Sequence, residues 1–321
     1  MSQTQTLAGI VIKAISGFYT VQTAQGQIVA QIPGRLKQEW QRTTLVAVGD
    51  HVTLSLLSDG TGQIESVAER RTALSRTRTR AEDNRQVSRD QEQVLVANPD
   101  QVVFVFAVKN PAPSLRKLDR FLVVAEMNEL PAIICANKID LTGLDMAHDL
   151  FQVYEEIGYT VIYTNAKNGD GVADLRDHLR DKISVLAGSS GVGKSSLLNA
   201  IQPGLGLKVR AVSEATGKGM HTTRYAEMIP LEMGGYVADT PGIRGLALFD
   251  VEPAELDGYF REMATLVADC QFSDCSHRHE PKCAVRAAVA DGRIAPARYD
   301  SYLRLREEHD GLEQEMYGRR A

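Results

Sequence analysis

The sequence predicts a multidomain protein with an all-β segment, an α/β segment and a mainly helical segment in series. Five short strands with turn signals fill the first 72 residues, and buried apolar strands alternate with helices from residue 94. A cluster of cysteines and histidines interrupts helical sequence after residue 251. The 321 residues suffice for two or three domains, and a 43% hydrophobic content supports real cores.

The all-β segment, residues 1–72, reads GIVIKAI, FYTVQT, QIVAQI, DHVTLSLL and GQIESVA, with turns at Gly26, Pro33-Gly34, Gly49-Asp50 and Asp59-Gly60. Five strands in so short a span suggest a closed barrel of the OB type. Many such barrels bind oligonucleotides and many do not. Residues 73–93 belong to an Arg-rich stretch without sustained apolar periodicity and read as a connector. Arg70, Arg71, Arg76, Arg78, Arg80, Arg85 and Arg89 could meet phosphates, although Glu82, Asp83, Asp90 and Glu92 offset that charge and a solvated linker is the alternative. The net charge of −5 is not that of a polycation, so any nucleic-acid contact must come from local patches.

Residues 94–250 alternate QVVFVFAV, a helix, PAIICANKID, a helix, TVIYTNAK, a helix and ISVLAG, the pattern of a parallel sheet covered by helices. After ISVLA comes Gly188-Ser189-Ser190-Gly191-Val192-Gly193-Lys194-Ser195, then the helix KSSLLNAIQ, which includes Ser196. This is a phosphate-binding loop in its proper strand–helix frame. Its glycines let backbone N–H groups converge on phosphate oxygens, and the helix N-terminus adds positive potential. Lys194 is expected to reach the β- and γ-phosphates and Ser195 to ligate Mg²⁺.

Asn137-Lys138-Ile139-Asp140 ends an apolar strand at the sheet edge where ligands bind. The Asp140 carboxylate can accept from the N1–H and N2–H₂ edge of guanine, a pair of donors that adenine lacks. Asn137 would bond the base and brace the phosphate loop, and Lys138 would lay its stem along the purine face. Asn165, Ala166 and Lys167 end the next strand and would complete the guanine contact, with Asn165 standing where GTPases carry Ser. In VADTPG, Asp239 suits an outer-sphere Mg²⁺ role and the Gly242 N–H the γ-phosphate. KGMHTTRY precedes it. Thr223, with Thr222 as second choice, would ligate Mg²⁺ only in the triphosphate state. Ile243 replaces the Gln that orients water in many GTPases, so His221 is the nearest candidate for that catalytic role, against the alternative of a solvent-exposed loop residue.

Cys270, Cys275, His277 and Cys283 give three thiolates and one imidazole, a closed set for one structural Zn²⁺, with His279 as rival ligand. Cys135 lies in an apolar strand and reads as core. Clustered cysteines fit a metal in a reducing cytoplasm better than disulfides. No apolar run of about 18 residues exists and no secretory signal is seen, so we expect a cytoplasmic monomer without a membrane span.

The elements run NKID, TNAK, GSSGVGKS, HTT, DTPG, whereas an ordinary GTPase begins at its phosphate loop. This order is a circular permutation. With the C-terminal metal motif, it closely resembles the RsgA (YjeQ/YloQ) family, the small-ribosomal-subunit-dependent GTPases of bacteria, over nearly the full length. The resemblance implies an OB domain, a permuted P-loop GTPase domain with Mg²⁺ and GTP/GDP, and a mainly α zinc domain at 251–321. It also implies a late role in small-subunit maturation, rRNA contacts, and hydrolysis stimulated by that subunit and linked to His221. Asn165 and the lack of a long basic N-terminal extension depart from the family pattern. Residue chemistry alone leaves a GTP-gated protein-binding switch as the alternative.

Overall fold

A computed structural model of the chain describes residues 5–34, 44–78, 91–208, 227–239 and 253–318. The five expected N-terminal strands form β1 (Thr6–Ile15), β2 (Phe18–Thr23), β3 (Gly26–Gln31), β4 (His51–Leu56) and β5 (Gly62–Val67). β1 pairs with both β2 and β4, and β3 pairs with β5, so the sheet closes on itself. Alternate side chains point inward, and Val11, Val21, Ala30, Val52, Leu54 and Ile64 fill the barrel.

The Arg-rich stretch differs from a simple connector. β6 (Ala73–Arg78) and β7 (Gln91–Ala97) form a two-stranded antiparallel ribbon. Its apolar residues sit at one end, where Leu74 opposite Val96 joins the main core. So few apolar positions show no period in sequence, and the strands are completed by pairing with each other. Arg70 turns inward. Its guanidinium donates to both oxygens of the buried Asp50 at 2.7 and 2.8 Å and to Thr44 O at 2.8 Å, so it is not offered to a phosphate. Arg71 reaches Asp100 at 3.4 Å. Arg80, Arg85 and Arg89 lie outside the described residues, as do the side chains of Arg76 and Arg78.

The central sheet contains β8 (Gln101–Ala107), β9 (Ala132–Asn137), β10 (Thr160–Thr164), β11 (Ile183–Ala187), β12 (Glu227–Pro230) and β13 (Tyr236–Asp239), in the order β10-β9-β8-β11-β13-β12. All neighbours are parallel except β12 and β13. Strand β8 is buried on both faces and sends alternate residues to two cores. Phe104 and Phe106 pack under α1 (Leu115–Met127) and α2 (Leu144–Glu156). Val103 and Val105 pack under α3 (Val172–Leu179) and α4 (Lys194–Ile201). The two sheets are continuous, because β12 pairs with β1 at Glu227 and Lys13.

The C-terminal part begins with a 3-10 segment, Pro253–Tyr259, and continues through α5 (Arg261–Ala264), α6 (Ala284–Ala290) and α7 (Pro296–Gly318). It docks on α1 and α2. Arg298 of α7 is 2% exposed and donates to Asp119 of α1 at 2.6 Å and to Glu262 of α5 at 2.7 Å. Burial alone would lower the Arg298 pKa, but the Asp119 and Glu262 charges more than offset it and the pKa rises. Tyr154 donates to the same Asp119 oxygen at 2.7 Å, and Ser301 donates to the other.

Candidate functional site

The carboxyl ends of β9, β10 and β11 bring three sequence elements together. Asn137 ends β9 and is 1% exposed. Its Nδ2 donates to Val192 O of the phosphate loop at 2.8 Å, and its Oδ1 accepts from Thr164 Oγ1 at 3.1 Å. Thr164 ends β10 and also meets Cys135 Sγ at 3.3 Å. Burial pushes the Cys135 thiol up to about 12, in keeping with a core residue rather than a reactive one. Residue 193 must be glycine on two counts. Its φ is +102°, and a Cβ there would lie 2.3 Å from Asn137 Nδ2.

The loop itself runs from β11 into α4. Lys194 Nζ folds back to Gly188 O at 2.8 Å and Ser189 O at 3.3 Å. Ser195 and Ser196 lie half-buried in the first turn of α4, while Ser190 is exposed. Lys138, with φ of +67°, crosses the loop and donates to Gly191 O at 2.6 Å and to Asn110 O. Burial, then the neighbouring Lys167 charge, lowers the Lys138 pKa, and Asp140 pulls the other way. Lys167 Nζ pairs with Asp140 Oδ2 at 3.0 Å, so the carboxylate proposed to read guanine is already oriented by a cation. The buried Asn165 accepts from the Lys167 N–H at 3.1 Å through Oδ1. An Asn side chain can shape this turn as a Ser does, which accounts for the departure seen in sequence. Ala166 is half-buried between them.

Asp239 ends β13 with its backbone opposite Leu186, two positions before the loop. Its side chain lies outside the described residues, as do Thr222, Thr223, His221, Gly242 and Ile243.

The second cluster is built from Cys270, Cys275, His277 and Cys283, whose ligand atoms all lie within 4.8 Å of one another. His277 is fully buried with φ of +59° and presents Nδ1 to Cys283 Sγ at 3.2 Å and Cys270 Sγ at 3.6 Å. Its Nε2 faces Asp257 Oδ2 at 2.8 Å, which fixes the ring so that Nδ1 is available as a ligand. Burial pushes the Cys275 thiol up to about 12, the cost that a bound cation would remove. Three sulfurs and one nitrogen converging in this way fit a tetrahedral metal ion. His279 is exposed and turned to Glu280 through its backbone, apart from the cluster. Glu280 shapes this loop. Its carboxylate accepts from the backbone N–H groups of Ser276, Arg278 and His279 at 2.7 to 3.0 Å. Burial opposes ionisation, but these bonds and the Ser276 hydroxyl hold the carboxyl at about 2.

Comparison with known proteins agrees with this geometry. A family described as RsgA GTPase matches residues 67–249, and one described as RsgA N-terminal domain matches residues 8–64. The chain belongs to the RsgA GTPase family. A curated relative from Gemmatimonas aurantiaca, named small ribosomal subunit biogenesis GTPase RsgA, is 42% identical over 95% of this chain and 98% of its own. A relative of the same name from Caldanaerobacter subterraneus is 38% identical over 98% and 99%. The crystal structure of YjeQ from Thermotoga maritima is similar, with a TM-score of 0.76 at 38% identity, covering 96% of this chain and 99% of that one. That of YloQ, titled a circularly permuted GTPase, has a TM-score of 0.72 at 35% identity, covering 96% of both chains. The protein is therefore a GTP-hydrolysing enzyme with a barrel, a permuted GTPase domain and a C-terminal cluster able to hold a metal.

Membership in the RsgA family was carried in sequence by short motifs, but the residues supporting those motifs were not legible there. Thr164 holds Asn137, Asp257 holds His277, and Glu280 holds the metal loop. Thr164 is the first residue of the TNAK element, yet nothing in that spacing marks it as the partner of Asn137. Of Arg278, Lys282, Arg286 and Arg293, the basic residues in and after the cluster, three have partners within the protein. Arg278 pairs with Asp310, Arg286 reaches Glu280 O, and Arg293 pairs with Asp291, while Lys282 is exposed.

Proposed function

We propose that the protein hydrolyses GTP to GDP and phosphate as a maturation factor of the small ribosomal subunit, which stimulates the reaction. The single observation that carries the nucleotide part is the Asn137 bridge, which ties the guanine-reading strand end to the phosphate loop at the carboxyl edge of a parallel sheet. The names of relatives that match nearly end to end support the ribosomal part.

In this reading Asp140 selects guanine, Asn165, Ala166 and Lys167 complete the base pocket, and Gly188 to Ser196 cradle the phosphates. Lys194 leaves Gly188 O and Ser189 O to meet phosphate oxygens. Ser195, Thr223 and Asp239 would hold Mg²⁺, which would supply positive charge to offset the negative charge of the phosphates. The Gly242 N–H meets the γ-phosphate, and His221 orients water because Ile243 cannot. The Cys₃His cluster holds one structural Zn²⁺. Tetrahedral zinc places sulfur and nitrogen ligands roughly 3.5 to 3.8 Å apart, close to the 3.2, 3.6 and 3.9 Å found among Cys270, His277 and Cys283. No helix among the described residues is long and apolar enough to cross a membrane. We take the protein to act as a cytoplasmic monomer with domains at 1–72, 94–250 and 251–321, whose barrel and metal domain face rRNA.

GTPase turnover with and without purified small subunits tests the proposal. A large stimulation is expected. Unchanged turnover, together with no salt-sensitive co-sedimentation in either nucleotide state, overturns the ribosomal role. Asp140→Asn is expected to relax preference for GTP over XTP.

A further inference from the structure

Three lysines meet the phosphate loop among the described residues. Motif chemistry accounts for Lys194 and Lys138, but Lys117 comes from α1, which carries no nucleotide motif. Its Nζ donates to Ser189 Oγ at 3.1 Å and lies 5.4 Å over the ring of the buried Phe121, which directs the ammonium. We propose that Lys117 is a positioning residue for the phosphate loop, held in place by the C-terminal domain docked on α1.

The route is one helical turn. Residues two apart on a helix point about 200° from each other, so Lys117 and Asp119 face opposite sides. Lys117 faces the loop. Asp119 is 2% exposed and takes Arg298 and Ser301 from the C-terminal domain, with Tyr154 of α2 completing its shell. The clamp on Asp119 therefore fixes the rotation of the turn that carries Lys117. Its position matters most when nucleotide arrives. Lys194 must then give up Gly188 O and Ser189 O for phosphate, and Lys117 still holds Ser189 while adding a third positive charge to the loop beside Lys194 and Lys138.

This inference rests on the reading of Gly188–Ser195 as the phosphate loop. The test measures the dissociation constant of a fluorescent GDP for the full, metal-loaded chain, with thermal unfolding of each variant alongside. Lys117→Met is expected to raise it about tenfold, the scale of one charged hydrogen bond, with the unfolding midpoint unmoved. Lys117→Arg recovers most of the loss. Ser301→Ala, far from the loop, raises it about threefold alone and adds nothing in the Lys117→Met background, the non-additivity that a shared route requires. If Lys194→Ala loses GDP while Lys117→Met binds as wild type, or if the Ser301 and Lys117 effects simply add, the inference is overturned. If Lys194→Ala binds GDP normally, the loop reading itself falls and the inference falls with it.

Discussion

The barrel and the C-terminal domain are both joined to the same α/β domain, but by different chemistry. The barrel side leans on backbone, with Ile10, Ile12 and Val48 also packed into the main core. Strand β12 runs beside β1, Ala97 N–H donates to Val48 O at 2.8 Å, and Gly49 comes so close to β7 that a Cβ would lie 2.0 Å from Ala97 O. The C-terminal side uses side chains: Leu256, Phe260, Tyr302 and Leu305 share a core with Leu118 and Leu122, beside Arg298 between Asp119 and Glu262, Arg261 against Glu126 at 2.7 Å, and surface pairs at Arg116 and Arg120. A backbone joint tolerates most side-chain changes, whereas a joint of buried side chains depends on each partner.

The largest break should come from the metal. Chelation is expected to unfold residues 253–318 and free α1, since such ions contribute on the order of 10 kcal/mol to small metal domains. Hydrogen exchange should then show the Ala97 and Val11 amides still protected; loss of protection there would mean that the two joints are not independent. Next in size, Arg298→Met leaves two buried carboxylates without their cation and should cost about 3 to 5 kcal/mol in urea unfolding, with the C-terminal part leaving first. Gly49→Ala tests the backbone joint. With φ of +94° and no room for Cβ, it should cost about 1 to 3 kcal/mol in thermal unfolding, without splitting the transition. Smallest is Lys13→Ala. The Lys13–Glu227 pair at 2.9 Å is more than one-third exposed on both sides, and its loss should change stability by about 0 to 1 kcal/mol. A larger effect would show that this ion pair, rather than the strand pairing, secures the barrel.

The sequence made the barrel, the alternating strands and helices, the phosphate loop and the Cys₃His set legible because each is local: a period, a turn or a spacing. What it hid is non-local. Asp119 appears as one acid within an amphipathic helix, and its partner Arg298 lies 179 residues on. Asp257 precedes His277 by 20 residues with no spacing that marks it as a ring partner. The β6–β7 ribbon was hidden because its strands are completed by each other, and Arg70 was misleading because its acid, Asp50, stands in the barrel.

The seam between β1 and β12 has one more consequence. A sheet's last strand offers unpaired backbone groups to any passing chain, an invitation to aggregation. Here the barrel takes up that edge of the α/β sheet, and the described edge left over is β10, a strand of five residues with mixed burial. The N-terminal barrel thus also serves as a guard, leaving only a short strand at the described far margin for unwanted β-sheet growth.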